Sequence, residues 1–193
     1  MHAAKPGLRA LGIAESYSGR EQSTLAGVVM RKDLLIDGAA FTRVTVGGSD
    51  ATDAVVRLVA GLARRDINLL MISGCVIAWY NIIDPGAVQE ATGLPVIVAT
   101  YEESEGLADD IRHHFPDDPD RLAAYRRLGD RTPVRLHTGY TLFIRPCGIS
   151  PSDAARLCND FTHEGRVPEP LRVARLVARG VVRSALCGGV VSP

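Results

Sequence analysis

Two different hydrophobic periods run along this chain. From residue 8 to residue 46 the apolar positions fall in short runs rich in β-branched residues: Leu8–Ala14, Leu25–Met30 (LAGVVM), Leu34–Ile36 and Phe41–Val46. Turn residues separate them at Gly19, Asp37–Gly38 and Gly47–Gly48. This pattern predicts three strands in an antiparallel meander. From Ser49–Asp53 onward the period becomes helical, with Val55, Leu58, Val59, Leu62 and Ala63 on one face. Ile67–Ile72 (INLLMI) and Leu94–Thr100 (LPVIVAT) are continuous apolar runs, the pattern of strands buried on both faces. Between them a helix near Pro85–Thr92 ends at Gly93. Further on, Gly106–His114 and Asp120–Leu128 read as helices flanking the Pro/Asp-rich HFPDDPDR, and Val134–Arg145 alternates like a hairpin or edge strand. Ser150–His163 opens with a Ser-Pro-Ser-Asp helix start, Arg172–Ser184 is a last helix, and the tail CGGVVSP is expected to fray.

Three strands followed by helix, strand, helix, strand, helix is the element order of the ribonuclease H-like fold. The expectation is therefore an α/β protein with a mixed sheet in the order 3-2-1-4-5, strand 2 antiparallel to the others, and flanking helices. The later strands join by parallel crossovers. A length of 193 residues suits one domain, here taken as residues 1–193.

Composition narrows the class. The chain is 46% apolar and 23% charged, as expected of a soluble globular protein. No stretch approaches the length of a membrane-spanning helix, and the first residues carry no secretory pattern. The four cysteines (Cys75, Cys147, Cys158, Cys187) form no CxxC pair, which predicts neither a structural zinc nor a disulfide framework but a reduced, cytoplasmic chain. Net charge is zero but unevenly spread: residues 101–120 hold eight acids against Arg112, and residues 121–193 hold twelve arginines against five acids. A basic segment points to an anionic partner, and the arginine fork suits phosphate; a GC-rich genome explains the same bias. Arg172, Arg175, Arg179 and Arg183 recur at spacings that place them on one helix face, either a phosphate-tracking stripe or a solvated surface.

Several acids have chemical uses beside plainer ones. Glu15 stands at the end of the first strand, where a rigid element holds a carboxylate within reach of solvent; it also reads as an ordinary turn glutamate. Asp50 and Asp53 flank the start of the first helix, where a carboxylate caps the helix or meets its dipole. Brought beside Glu15, one of them would form a carboxylate pair suited to Mg²⁺ or Mn²⁺. Trp79, Tyr80 and Asn81 follow the buried strand 67–72 and would form a base pocket or pack as core. Glu102 and Glu103 are further acids at a strand end, either additional candidates for the same site as Glu15 or residues of a solvated first helical turn. There is no HExxH, P-loop, GxGxxG or GxSxG.

The stretches LGIAESYSG, AGVVMR, VTVGGSDATDAVV, INLLMISG, WYNIID, TGLPVIVATYEES, RTPVRLHTGY and GRVPEPLRVARLVAR, spread over nearly the whole chain, resemble the archaeal endonuclease dU family, a relative of endonuclease V. The resemblance implies a ribonuclease H-like fold and metal-dependent cleavage of DNA near a deaminated base, deoxyuridine, in repair. It implies a metal-binding carboxylate at Glu15 and a second at Asp53 or Asp50. It also implies an Asp-Gly after the next strand, where this chain has Ser73-Gly74. A serine hydroxyl replaces a metal-binding carboxylate poorly, so three readings stand. The first is a nuclease with Mg or Mn on Glu15 and Asp53, a base pocket at Trp79–Asn81, and Arg166, Arg172 and Arg175 on the backbone of damaged DNA. The second is a nucleic-acid-binding protein that does not cut. The third is a small-molecule or nucleotide phosphohydrolase.

Overall fold

The computed structural model of the chain describes residues 7–17, 21–103 and 106–186. The meander forms from β1 (Arg9–Ser16), β2 (Gln22–Arg31) and β3 (Ile36–Thr45). Of the apolar runs 34–36 and 41–46, only Ile36 and Phe41–Thr45 lie in β3: Leu34 and Leu35 belong to the turn before it, Val46 follows its end, and residues 37–40 continue the pairing with β2, through a register shift at Val29/Met30. Helix α1 (Ala51–Gly61) crosses over to β4 (Leu69–Ser73), parallel to β1 with Gly12 opposite Met71. A small hairpin of β5 (Val76–Ile77) and β6 (Asn81–Ile82) then leads into α2 (Pro85–Thr92). Asp84 caps this helix by accepting from the Gly86 and Ala87 N–H groups, and Gly93 ends it in the left-handed region, as the sequence predicts. Strand β7 (Val96–Thr100) lies parallel to β4.

The remaining elements are α3 (Ala108–His114), α4 (Pro119–Arg127), β8 (Thr132–Arg135), β9 (Thr141–Cys147), α5 (Pro151–Asp160) and α6 (Glu169–Leu186). The main sheet has seven strands in the order β3-β2-β1-β4-β7-β9-β8. Its first five positions are the predicted order, with β2 antiparallel to its neighbours; the alternating segment 134–145 adds a hairpin at the far edge. This is a ribonuclease H-like mixed sheet.

Side-chain alternation sorts the core into two faces. Leu11, Ile13, Leu25, Leu70, Ile72 and Val98 pack under Ala54, Val55 and Leu58 of α1 and Val88 of α2. Ala10, Leu69, Met71, Ile97 and Ala99 pack under Leu157 and Cys158 of α5, Phe161 at its C-terminal cap, and Leu171 of α6. Between Ala10 and Ala14, Gly12 leaves β1 without a side chain where Pro170 of α6 approaches: a Cβ there would lie 2.3 Å from the Pro170 carbonyl carbon. No helix among the described residues is long and apolar enough to cross a membrane.

Candidate active site

Strands β1, β4 and β7 end side by side, and the chain opens a run of three adjoining cavities at their carboxyl ends, where open α/β sheets bind ligands. The first, of about 390 Å³, is lined by Glu15, Tyr17, Ser73, Ile77, Arg175 and Arg179 among others. The second shares Ser73 and Arg175 and adds Gly74, Tyr101, Glu102 and Arg131. The third, of about 660 Å³, shares Gly74 and Arg131 and extends to Cys75, Glu103, Asp130 and Arg145.

Glu15 is partly buried at the end of β1, and its carboxylate accepts a short hydrogen bond from the Ser23 hydroxyl of β2. Burial pushes its pKa up; the Ser23 bond opposes the shift without cancelling it. Among the described residues it has no cationic partner, although Arg175 and Arg179 line the same cavity. Arg175 reaches from α6 to donate to Ser73 Oγ at 2.9 Å, and Ser73 Oγ lies 3.2 Å from the Tyr101 hydroxyl. The guanidinium stands 5.3 Å from the Tyr101 ring centroid.

Neither Asp50 nor Asp53 lines the Glu15 cavity. Asp53 is exposed in the first turn of α1. Asp50 holds the N-cap position, but the expected capping bond is absent. Its carboxylate turns back to accept from Thr45 N–H and Oγ1 at 3.1 and 3.0 Å and from Asn81 Nδ2 at 2.7 Å. Burial alone would raise the Asp50 pKa; the hydrogen bonds from Asn81 and Thr45 outweigh it and hold the group low. The capping oxygen comes instead from Asn81 Oδ1, which accepts the Ala51 N–H at 3.0 Å, while Asn81 Nδ2 also donates to Thr45 O at 2.8 Å. Asn81 is fully buried, so it braces α1 rather than facing a base. Asn81→Ala strands an N–H, a carbonyl and a carboxylate at once. It is expected to destabilise the chain by about 2–4 kcal/mol, read as a fall in the urea midpoint at unchanged slope.

Trp79 and Tyr80 sit on the turn between β5 and β6. Ala78, Trp79 and Tyr80 all take left-handed backbone angles, with φ of 41, 58 and 60°. Each costs roughly 1–2 kcal/mol for a residue with a side chain, so the surroundings must hold the turn. Gly47 N–H donates to Ala78 O at 2.7 Å. Arg121, pinned by Asp118 and stacked 4.1 Å over Phe115, donates to Tyr80 O at 2.6 Å and to the Gly47 and Gly48 carbonyls. Trp79 remains half exposed against Tyr80 and His114.

The endonuclease dU family model matches residues 6–182. The chain belongs to the endonuclease dU family. A UPF0215 protein of Pyrobaculum calidifontis is 42% identical over 173 residues, 89% of this chain and 95% of that one. A protein of unknown function from Archaeoglobus fulgidus shares the fold at 24% identity and TM-score 0.78, over 90% of this chain and 98% of its own. The endonuclease V of Ciona intestinalis, in complex with a 24mer DNA containing an inosine followed by a ribo-adenosine, does so at 14% identity and TM-score 0.63, over 93% and 87%.

For an endonuclease dU family member, the charge arrangement is unlike that of a resident metal site. The cavity beside Glu15 presents two serines, a tyrosine and two arginines, and the described residues hold no group of three or more His, Cys, Asp or Glu able to bind an ion. Hard divalent cations need several oxygen ligands and are repelled by guanidinium, so this donor set does not fit a resident Mg²⁺ or Mn²⁺ on Glu15 and Asp53. The arginine stripe divides. Arg172 pairs with the buried Glu169 at 2.5 Å, whereas Arg175 and Arg179 enter the cavity. Arg166 donates to Tyr101 O at 2.8 Å and lies 3.7 Å from Glu102, which is largely exposed. Ser23, Tyr101, Arg121 and Arg131 carry no sequence signal beyond the position of Tyr101 beside the acids of TYEES; register and crossover bring them in.

Proposed function

We propose that this protein is a DNA endonuclease acting at deaminated bases, deoxyuridine first among them, with the cavity at the ends of β1 and β4 as its catalytic site. The observation that carries the reading is one partly buried carboxylate, Glu15, lining a cavity with two arginines that have no carboxylate ion-pair partner among the described residues. Family membership supports it. Glu15 serves as general base, taking the proton of the water whose oxygen attacks phosphorus while the bond to the departing sugar oxygen breaks. Arg175 and Arg179 hold the phosphate oxygens through that change. The adjoining cavity of about 660 Å³ beside Gly74 receives the unpaired base, and Trp79 and Tyr80 offer an aromatic surface to the neighbouring strand.

The test uses labelled oligonucleotides, each with a single deoxyuridine, hypoxanthine or abasic site, incubated in EDTA, Mg²⁺ and Mn²⁺. Cleavage next to deoxyuridine is expected to exceed that of an otherwise identical oligonucleotide with thymine at that position. Ser73 in place of aspartate favours a second reading, a protein that binds such DNA without cutting it. Retained binding with no cleavage under any of the three conditions selects the second over the first.

A further inference from the structure

A cation withdrawn from water costs free energy unless an anion or a set of oxygen acceptors meets it. Elsewhere in the structure that need is met by carboxylates or by carbonyl oxygens: Arg9 and Arg64 share Asp37, Arg121 has Asp118, Arg172 has Glu169, and Arg145 donates to the Leu128 and Gly129 carbonyls. Arg175 is half-buried, and its partners are neutral: the Ser73 hydroxyl and the hydroxyl and ring of Tyr101. Arg179, one turn further along α6, lines the same cavity and has no hydrogen bond or ion pair among the described residues.

The serine explains how the charge stays available. A carboxylate at residue 73 would pair with Arg175 and cancel it; a hydroxyl at 2.9 Å fixes the guanidinium and leaves its charge intact. Tyr101 adds a second hydroxyl, whose pKa burial pushes above its ordinary value. Arg175 and Ser73 line both of two adjoining cavities, Arg179 the first and Tyr101 the second, so guanidinium groups and hydroxyls stand at their junction as donors for the oxygens of a tetrahedral dianion or phosphodiester.

We propose that Arg175, fixed by Ser73 and Tyr101 and assisted by Arg179, is a metal-independent phosphate-binding site, supplying here the positive charge that a carboxylate-bound metal ion would otherwise bring. For a phosphate within a DNA strand the proposal rests on the nucleic-acid reading above; for inorganic phosphate it stands alone.

Two probes in EDTA separate these. The first is inorganic phosphate, followed by thermal shift. The second is a fluorescein-labelled single-stranded oligonucleotide with one deoxyuridine, followed by anisotropy. The parent is compared with Arg175→Ala, Arg175→Lys and Ser73→Asp, each checked for folding by circular dichroism. In the parent, phosphate is expected to raise the melting temperature and the oligonucleotide to bind without added metal. Arg175→Ala is expected to abolish the phosphate shift and weaken the oligonucleotide about tenfold, with the salt slope shallower by about 0.7. Arg175→Lys should keep part of both. Ser73→Asp should match Arg175→Ala in EDTA, because the new carboxylate occupies the guanidinium; it also answers the question if the alanine variant does not fold. A phosphate shift that needs Arg175, with no oligonucleotide binding, supports the site and overturns the nucleic-acid reading. Oligonucleotide binding indifferent to both Arg175→Ala and Ser73→Asp overturns the site and leaves that reading standing. Parent binding of both probes only in Mg²⁺ or Mn²⁺ overturns the site as well.

Discussion

With Glu15 as the proposed base, Glu15→Gln is expected to lower cleavage at deoxyuridine by about 10²–10⁴-fold and at the same time to raise the melting temperature at neutral pH. The loss follows from the proposed base: an amide cannot take the proton of the attacking water. The gain follows from the same burial that shifts the carboxyl. Glu15 titrates above its ordinary value in the folded chain, so the folded state holds that proton more tightly than the unfolded one. Its contribution to stability is therefore fully present below the unfolded pKa and is lost as pH rises through the folded pKa. Glutamine mimics the protonated form and still accepts from Ser23, so the variant melts above the parent at pH 7 and converges with it near about pH 4. Single-turnover cleavage and a pair of pH–melting profiles measure both effects. The acid limb of the parent's pH–rate profile should lie above that of an ordinary glutamate. A variant that keeps cutting removes Glu15 from the chemistry; one that is less stable at pH 7 contradicts its strained ionisation.

Gly12→Ala is expected to cost about 3 kcal/mol or more, a large effect for one methyl group. The added carbon would meet the Pro170 carbonyl carbon and oxygen at 2.3 Å and its Cβ at 2.5 Å. These contacts are largely backbone, and no side-chain rotation relieves them; α6 must lift from β1. Because α6 carries Arg175 to Ser73, the displacement should also weaken phosphate binding. Gly27→Ala offers a control. Its Cβ would meet Leu58 Cδ2 at 2.7 Å and Leu11 Cδ1 at 3.0 Å, the ends of flexible side chains, so the cost should be smaller. Urea titrations of the two variants decide the ranking.

The strand order was legible because a strand or helix imprints its period on adjacent residues. The β-branched runs became β1 to β3, and the two continuous apolar runs became the buried parallel pair β4 and β7. The helix 85–92 appears with the predicted limits, since its cap, its Pro at the first position and its terminal glycine are all local signals. The hairpin β5–β6 was not legible. Two-residue strands have no period, and the left-handed turn at Ala78–Tyr80 is held from outside by Gly47 and Arg121.

The site divides along the same line. Position alone put Glu15 at a strand end and Arg175 with Arg179 on one helix face, because both follow from local geometry. Tertiary structure decided which of these residues meet. Asn81, taken for a base-pocket residue, is claimed by Asp50 and Ala51 across the start of α1, thirty positions away in the second case. Asp50, taken for a cap, is claimed by Thr45 and Asn81. Ser73 meets Arg175 across 102 positions, through the packing of α6 on β1 at Gly12. Periodicity records which face of an element is buried. Which charge lies beside which hydroxyl depends on how the elements cross, and that is set by the summed packing of both faces of the sheet.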